Sequence, residues 1–101
     1  MQFIKICEAM GMKDCIKEYR FHPKRRWRCD YFFPIGLAIE IEGGTFSRNG
    51  FGGRHNRGVG FRNDMIKYSA LTEAGIWLLR YPPETIDYDQ IKRVYDKLVS
   101  C

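Results

Sequence analysis

Three acidic residues, Asp30, Glu40 and Glu42, stand in segments whose apolar and polar residues alternate as they do in half-buried strands. Over residues 27–33, Arg28, Asp30 and Phe32 share one face, opposite Trp27, Cys29, Tyr31 and Phe33. Over residues 37–42, Ala38, Glu40 and Glu42 share one face, and Leu37, Ile39 and Ile41 form the core side. A tight turn at Pro34-Ile35-Gly36 that pairs Phe33 with Leu37 sets Asp30 across from Glu40 and Arg28 across from Glu42. Closing the preceding hairpin through residues 22–26, with Phe21 against Trp27, sets Glu18 across from Asp30. A row of carboxylates across three strands results, and a one-residue slip in either turn would undo it.

Like charges directly opposite on a sheet are destabilising. Two unit charges about 4 Å apart repel by about 4 kcal/mol at an effective dielectric near 20. That is a large part of the roughly 5–15 kcal/mol that holds a small domain together. A raised pKa on one acid or a bound cation relieves it. Oxygen ligands without Cys or His favour Mg²⁺ or Mn²⁺ over zinc. The competing reading is a solvated face on which Arg28 and the basic turn residues neutralise the acids. Alternation alone favours neither.

The elements that would position these residues follow from punctuation along the chain. Residues 4–10 form a short helix closed by Gly11, and residues 15–21 a first strand. Pro23 makes residues 22–26 a turn, residues 27–33 a second strand and 37–42 a third. Residues 43–60 hold seven glycines and are expected to form a long loop. Asn63 caps a helix over residues 64–74, with Met65, Tyr68, Ala70 and Leu71 as its inner side and Gly75 at its end. Residues 76–80 read as a buried strand in which Trp77 belongs to the core. Pro82-Pro83 breaks the chain, and an amphipathic helix over 88–99 closes it. The order is α-β-β-β-α-β-α, an α+β fold with helices against a mixed sheet.

The 101 residues make one domain, of ordinary globular balance at 45% hydrophobic and 29% charged. No apolar run approaches the ~18 residues of a membrane span. The four cysteines, Cys7, Cys15, Cys29 and Cys101, form no CxxC pair and bear no zinc-finger spacing to His22 or His55. Free thiols in a reducing, cytoplasmic setting are expected. The net charge of +5 favours a polyanionic partner, and its placement matters more than its size. Arg20, Lys24, Arg25, Arg26 and Arg28 crowd the first hairpin, and Arg48, Arg54, Arg57 and Arg62 the glycine-rich segment and the residues after it.

The run Trp27-Arg28-Cys29-Asp30-Tyr31, then Leu37-Ala38-Ile39-Glu40-Ile41-Glu42-Gly43-Gly44, resembles the PD-(D/E)xK nuclease superfamily. Within it the likeness is to small very-short-patch-repair-like endonucleases and stand-alone enzymes of phages and prophages. It spans about residues 15–81 and includes the Arg54-His55 loop and the Asp64/Lys67 helix.

The resemblance implies a restriction-endonuclease-like αβββαβ core and Mg²⁺-dependent hydrolysis of DNA phosphodiesters, with Mn²⁺ able to substitute. It implies that Asp30 and Glu40 bind the metal with the carbonyl of Ile41. Glu42 stands where lysine is usual, so the group that orients the attacking water is open. Glu42 as base or ligand, Lys67 from the helix and His55 from the loop are the candidates; Lys67 could instead pair with Asp64. Glu18 is a further candidate acid, with a solvated pairing to Arg20 or Arg28 as its alternative. Lys24, Arg25, Arg26, Arg28, Arg48, Arg54 and Arg57 would contact DNA. Duplex, nick, flap and four-way junction all remain open as substrates, and a junction would require a homodimer. A phage-encoded enzyme would work in the host cytoplasm. The rival is a nucleic-acid-binding module or accessory subunit whose acids form a degenerate site.

Overall fold

The computed structural model describes residues 2–42 and 62–100 in full, and residues 52–61 as helical backbone. The elements are α1 (Gln2–Ala9), β1 (Ile16–Arg20), β2 (Arg28–Phe33), β3 (Leu37–Ile41), α2 (Gly52–Glu73), β4 (Trp77–Tyr81) and α3 (Tyr88–Val99). Their order is the one the residue pattern predicts. One sheet is built in the order β1-β2-β3-β4, antiparallel through β3 and parallel between β3 and β4. Parallel neighbours need a crossover, and α2 supplies it.

Both faces of the sheet are covered. On one, Phe33, Leu37, Ile39 and Tyr81 pack with Phe3 and Cys7 of α1, Met12 and Ile91 of α3. On the other, Cys29, Phe32 and Ala38 pack with Leu71 of α2. Burying one such aliphatic or aromatic side chain contributes roughly 1.5–3 kcal/mol. Because β3 has layers on both sides, Leu37 through Glu40 are all buried, and Glu40 is the one buried acid among the described residues.

The predicted register is present in both hairpins. Phe33 pairs with Leu37, and Ile16 with Phe32, at the offset that Phe21 against Trp27 requires. The β1–β2 ladder nonetheless skips one position on each strand: Lys17 pairs with Tyr31 and Tyr19 with Cys29, leaving Glu18 and Asp30 unpaired between them. Glu18 has φ 52°, a left-handed backbone that a side-chain-bearing residue rarely adopts. The kink reverses the alternation beyond it. Cys29, expected on the side of Tyr31 and Phe33, lies instead with Phe32, on whose ring Tyr19 stacks at 4.2 Å. The β2–β3 ladder ends at Tyr31 opposite Ile39, so the expected Arg28–Glu42 pairing does not form.

Three further expectations are corrected. Helix α2 starts at Gly52, not at a cap on Asn63, so residues 52–60 are not loop. Extending a helix already nucleated costs far less than starting one, which weakens the glycines' vote against it. Met65, expected on the inner side, is 54% exposed, because Lys67, Tyr68 and Leu71 take the sheet-facing stripe. Trp77 is 62% exposed, since β4 is an edge strand and an apolar run does not distinguish edge from centre. Residues 43–51 lie outside the described residues. Among the described residues no helix is long and apolar enough to cross a membrane.

Candidate active site

The kink at Glu18 and Asp30 releases the Asp30 carboxylate from a plain strand position. Its Oδ2 accepts a hydrogen bond from the backbone N–H of Ile41 at 2.8 Å, reaching across to the far end of β3. Asp30 is thereby tied to the segment that carries Glu40 and Glu42. The predicted pairing of Asp30 directly across from Glu40 is absent from the ladder; Asp30 instead accepts from the backbone of Ile41, next to Glu40, and its charge acts on the Glu40 carboxyl.

Glu40 points beneath α2. The Nζ of Lys67 donates to its Oε2 at 2.7 Å, with both side chains largely buried. Burial pushes the Glu40 carboxyl above its ordinary range; Lys67 works against that, and the nearby charges of Asp30 and Glu42 add to it. Lys67 sits where α2 turns its inner stripe to the sheet, one turn before Leu71. Its partner is Glu40 rather than Asp64.

Glu42 continues from β3, its N–H donating to the carbonyl of Tyr81 at 3.0 Å. Its carboxylate accepts three hydrogen bonds from two residues. The Tyr68 hydroxyl donates to Oε2 at 2.7 Å, and Arg80 donates Nε to Oε2 at 3.2 Å and Nη2 to Oε1 at 3.1 Å. Partial burial pushes this carboxyl up, but the bonds from Arg80 and Tyr68 together outweigh it and hold it below the ordinary range. Arg80 is opposite Glu40 in the β3–β4 register, and its guanidinium lies 4.4 Å from the Tyr68 ring centre.

Of the sequence-predicted site residues, Asp30, Glu40, Ile41, Glu42 and Lys67 are brought together. Glu18 is not among them; it accepts from Arg28 at 3.3 Å, more than half exposed. Asp64 is exposed. The His55, Arg48, Arg54 and Arg57 side chains lie outside the described residues. Lys24, Arg25 and Arg26 are exposed on the β1–β2 turn, where the His22 Nδ1 accepts from the N–H groups of Lys24 and Arg25. The Arg25 guanidinium lies 4.7 Å from the Trp27 ring centre, and Trp27 meets His22 edge-on.

Arg80 and the polar role of Tyr68 escaped the sequence. The available signal was an arginine closing an otherwise apolar strand, at the register position of a buried acid. The cations that neutralise Glu40 and Glu42 are therefore Lys67 and Arg80, while Arg28 pairs with Glu18.

Hard oxygen donors are what Mg²⁺ takes, usually one or two carboxylates with waters completing the octahedron. Among the described residues none donates to Asp30 Oδ1 or Glu40 Oε1, so each acid has one oxygen that those residues leave unoccupied. Among the described residues there is no group of three or more His, Cys, Asp or Glu side chains placed to hold a metal. The donor pair fits a cation that keeps several waters and does not fit a closed, all-protein cage. Compared with protein-family models, curated proteins and solved structures, the chain gives no match.

Proposed function

We propose that the chain is a metal-dependent DNA endonuclease with a restriction-endonuclease-like core. The observation that carries this reading is Lys67 on Glu40 beside Asp30. An aspartate, a glutamate and a lysine gather at one end of the sheet, the lysine coming from α2 because Glu42 occupies its usual strand position. The element order and the antiparallel hairpins followed by a parallel β4 suit the same core.

In this reading Asp30, Glu40 and the carbonyl of Ile41 would hold Mg²⁺. The bound ion would lower the pKa of a water and neutralise charge on the phosphate. Lys67 favours the anionic form of Glu40 against its burial and would offer its remaining N–H donors to the attacking water or to a phosphate oxygen. Water attacks phosphorus, the bond to one sugar oxygen breaks, and that oxygen leaves with a proton. Glu42 is engaged by Arg80 and Tyr68, which suits a positioning role better than that of base. The exposed cations of the β1–β2 turn are suited to the DNA backbone, since phosphate contacts position a protein without reading sequence.

A second reading has its own support. With Lys67 and Arg80 beside Glu40 and Glu42, the acids are stable without a cation, as in a binding module with a degenerate site. One experiment separates the two. Labelled duplex, single strand, flap and four-way junction are incubated with Mg²⁺, Mn²⁺ or EDTA, alongside Asp30→Asn and Glu40→Ala proteins. Metal-dependent cutting that both substitutions abolish, with binding retained, supports the nuclease. Tight binding with no cutting in either metal leaves the binding module.

A further inference from the structure

Arg80 holds more of its geometry fixed than an ion pair needs. Glu42 takes one N–H from Nε and one from Nη2, which aligns the guanidinium side-on. The Tyr68 ring lies against the guanidinium, and the Tyr68 hydroxyl fixes the same carboxylate from the other side. A half-exposed pair of this kind adds little to stability. What it does achieve is rigidity, since a fork already held in one plane loses little entropy when it binds again.

The outer edge of the same guanidinium is unused. Nη1 donates to none of the described residues, and Nη2 keeps one N–H beyond the bond to Glu42. Two parallel N–H groups remain at the half-exposed end of the side chain, spaced for two oxygens of one phosphate. The Arg80 backbone pairs with Glu40 in the β3–β4 register while its guanidinium is tied to Glu42, so an anion bound on this edge sits beside the third acid of the site.

We propose that Arg80 is a phosphate seat at the active site, with Glu42 and Tyr68 as its positioning residues. The occupant is a backbone phosphate of the nucleic acid, and this rests on the nuclease reading above. Free phosphate shares the chemistry, and the test separates the two sources.

Binding to labelled duplex, single strand, flap and four-way junction is measured in EDTA across a salt series, for the unmutated chain and for Arg80→Gln/Glu42→Gln. The double substitution removes the fork without stranding the acid. Inorganic phosphate is titrated into the unmutated protein while the Arg80 Nε resonance is followed. The expected results are an affinity loss on the order of tenfold, a salt slope shallower by about 0.9 and a phosphate-dependent shift of Arg80. If the unmutated chain binds one of these DNAs and the double variant matches it in affinity and slope, the seat is overturned and the nuclease reading stands. If the chain binds none of them yet phosphate moves Arg80, the seat holds free phosphate and the nuclease reading falls. No DNA binding and no phosphate shift overturns both.

Discussion

Lys67→Met removes the ammonium that compensates Glu40 and leaves a side chain of similar length. The two groups are 2.7 Å apart, with side-chain exposures of 14% and 7%, so solvent ions screen them weakly. At that separation the attraction is about 6 kcal/mol for an effective dielectric near 20. Part is regained as water and neighbouring dipoles rearrange, and breaking a buried pair costs about 3–5 kcal/mol. Each kcal/mol moves the midpoint of a chain near this size by roughly 4–8 °C. The variant is therefore expected to melt about 12 °C or more below the unmutated protein near pH 7.5.

The pH dependence has a definite sign. Burial already pushes the Glu40 pKa above 4.5, and removing Lys67 takes away the group that opposes it. A carboxyl whose folded pKa is raised supports the fold below its unfolded pKa and loses that support as pH climbs through the folded value. The deficit is thus greatest at neutral pH and smallest near pH 4.5. Lys67→Met/Glu40→Gln removes both charges and should recover most of the loss. Thermal melts by circular dichroism across this range are the assay. A deficit below about 4 °C at neutral pH, one that does not shrink on acidification, or a double variant no better than the single would refute the buried-pair argument. Millimolar Mg²⁺ should raise the melting point of the unmutated protein if Asp30 and Glu40 hold the ion, because a ligand that binds only the folded state stabilises it.

Asp87→Ala removes the cap of α3, whose carboxylate accepts from the Gln90 N–H at 2.9 Å, and should cost about 1 kcal/mol in a denaturant titration. Gly75→Ala should cost about 1–2 kcal/mol in the same titration, because φ is +78° there while an added Cβ meets nothing within 4 Å. The penalty is conformational, so Gly75→Asn should be milder than Gly75→Ala. Burial pushes the Cys7 thiol up to about 12 and those of Cys15 and Cys29 to about 11, from an ordinary 9.0. These thiols stay protonated in the fold while an unfolded chain ionises them, so stability should fall as pH rises from about 9 toward 11. A melting point that is flat over that interval would count against the burial of these thiols.

The element order could be read from the sequence because period-two and helical patterns, Gly11, Gly75 and Pro82-Pro83 mark the same elements, though not the start of α2. The register could be read because apolar Phe33 and Leu37 allow only one pairing that keeps both on the core side. Burial of both faces of β3 was less visible. Ala38 and Glu40 read as an outward face until α2 covers them, and a lone alanine carries little signal of burial. Trp77 misled for the opposite reason, since its size suggested core while its edge position left it in solvent.

The site was partly legible for a physical reason. Carboxylates placed together must be compensated, so their presence announces that cations are near, but not which ones. Sequence neighbours such as Arg28 were the obvious source, and the actual source was the helix that crosses over between β3 and β4. A crossover helix must lay one stripe on the strand it leaves and the strand it joins, and here that stripe carries Lys67, Tyr68 and Leu71. The same geometry sets Arg80 beside Glu40 through the parallel register, a relation that no local pattern encodes. Glu18 fell away through its own backbone. At φ 52° it leaves the ladder, turns to Arg28 and allows Asp30 to reach Ile41. A strained residue at the point where a carboxylate is redirected suits a site whose geometry is held by the fold, because such strain persists only when surrounding packing over-determines it. Glu18→Gly should keep that kink while removing its steric cost, so the Ile41 amide should stay protected from hydrogen exchange through its bond to Asp30, and loss of that protection would refute the argument.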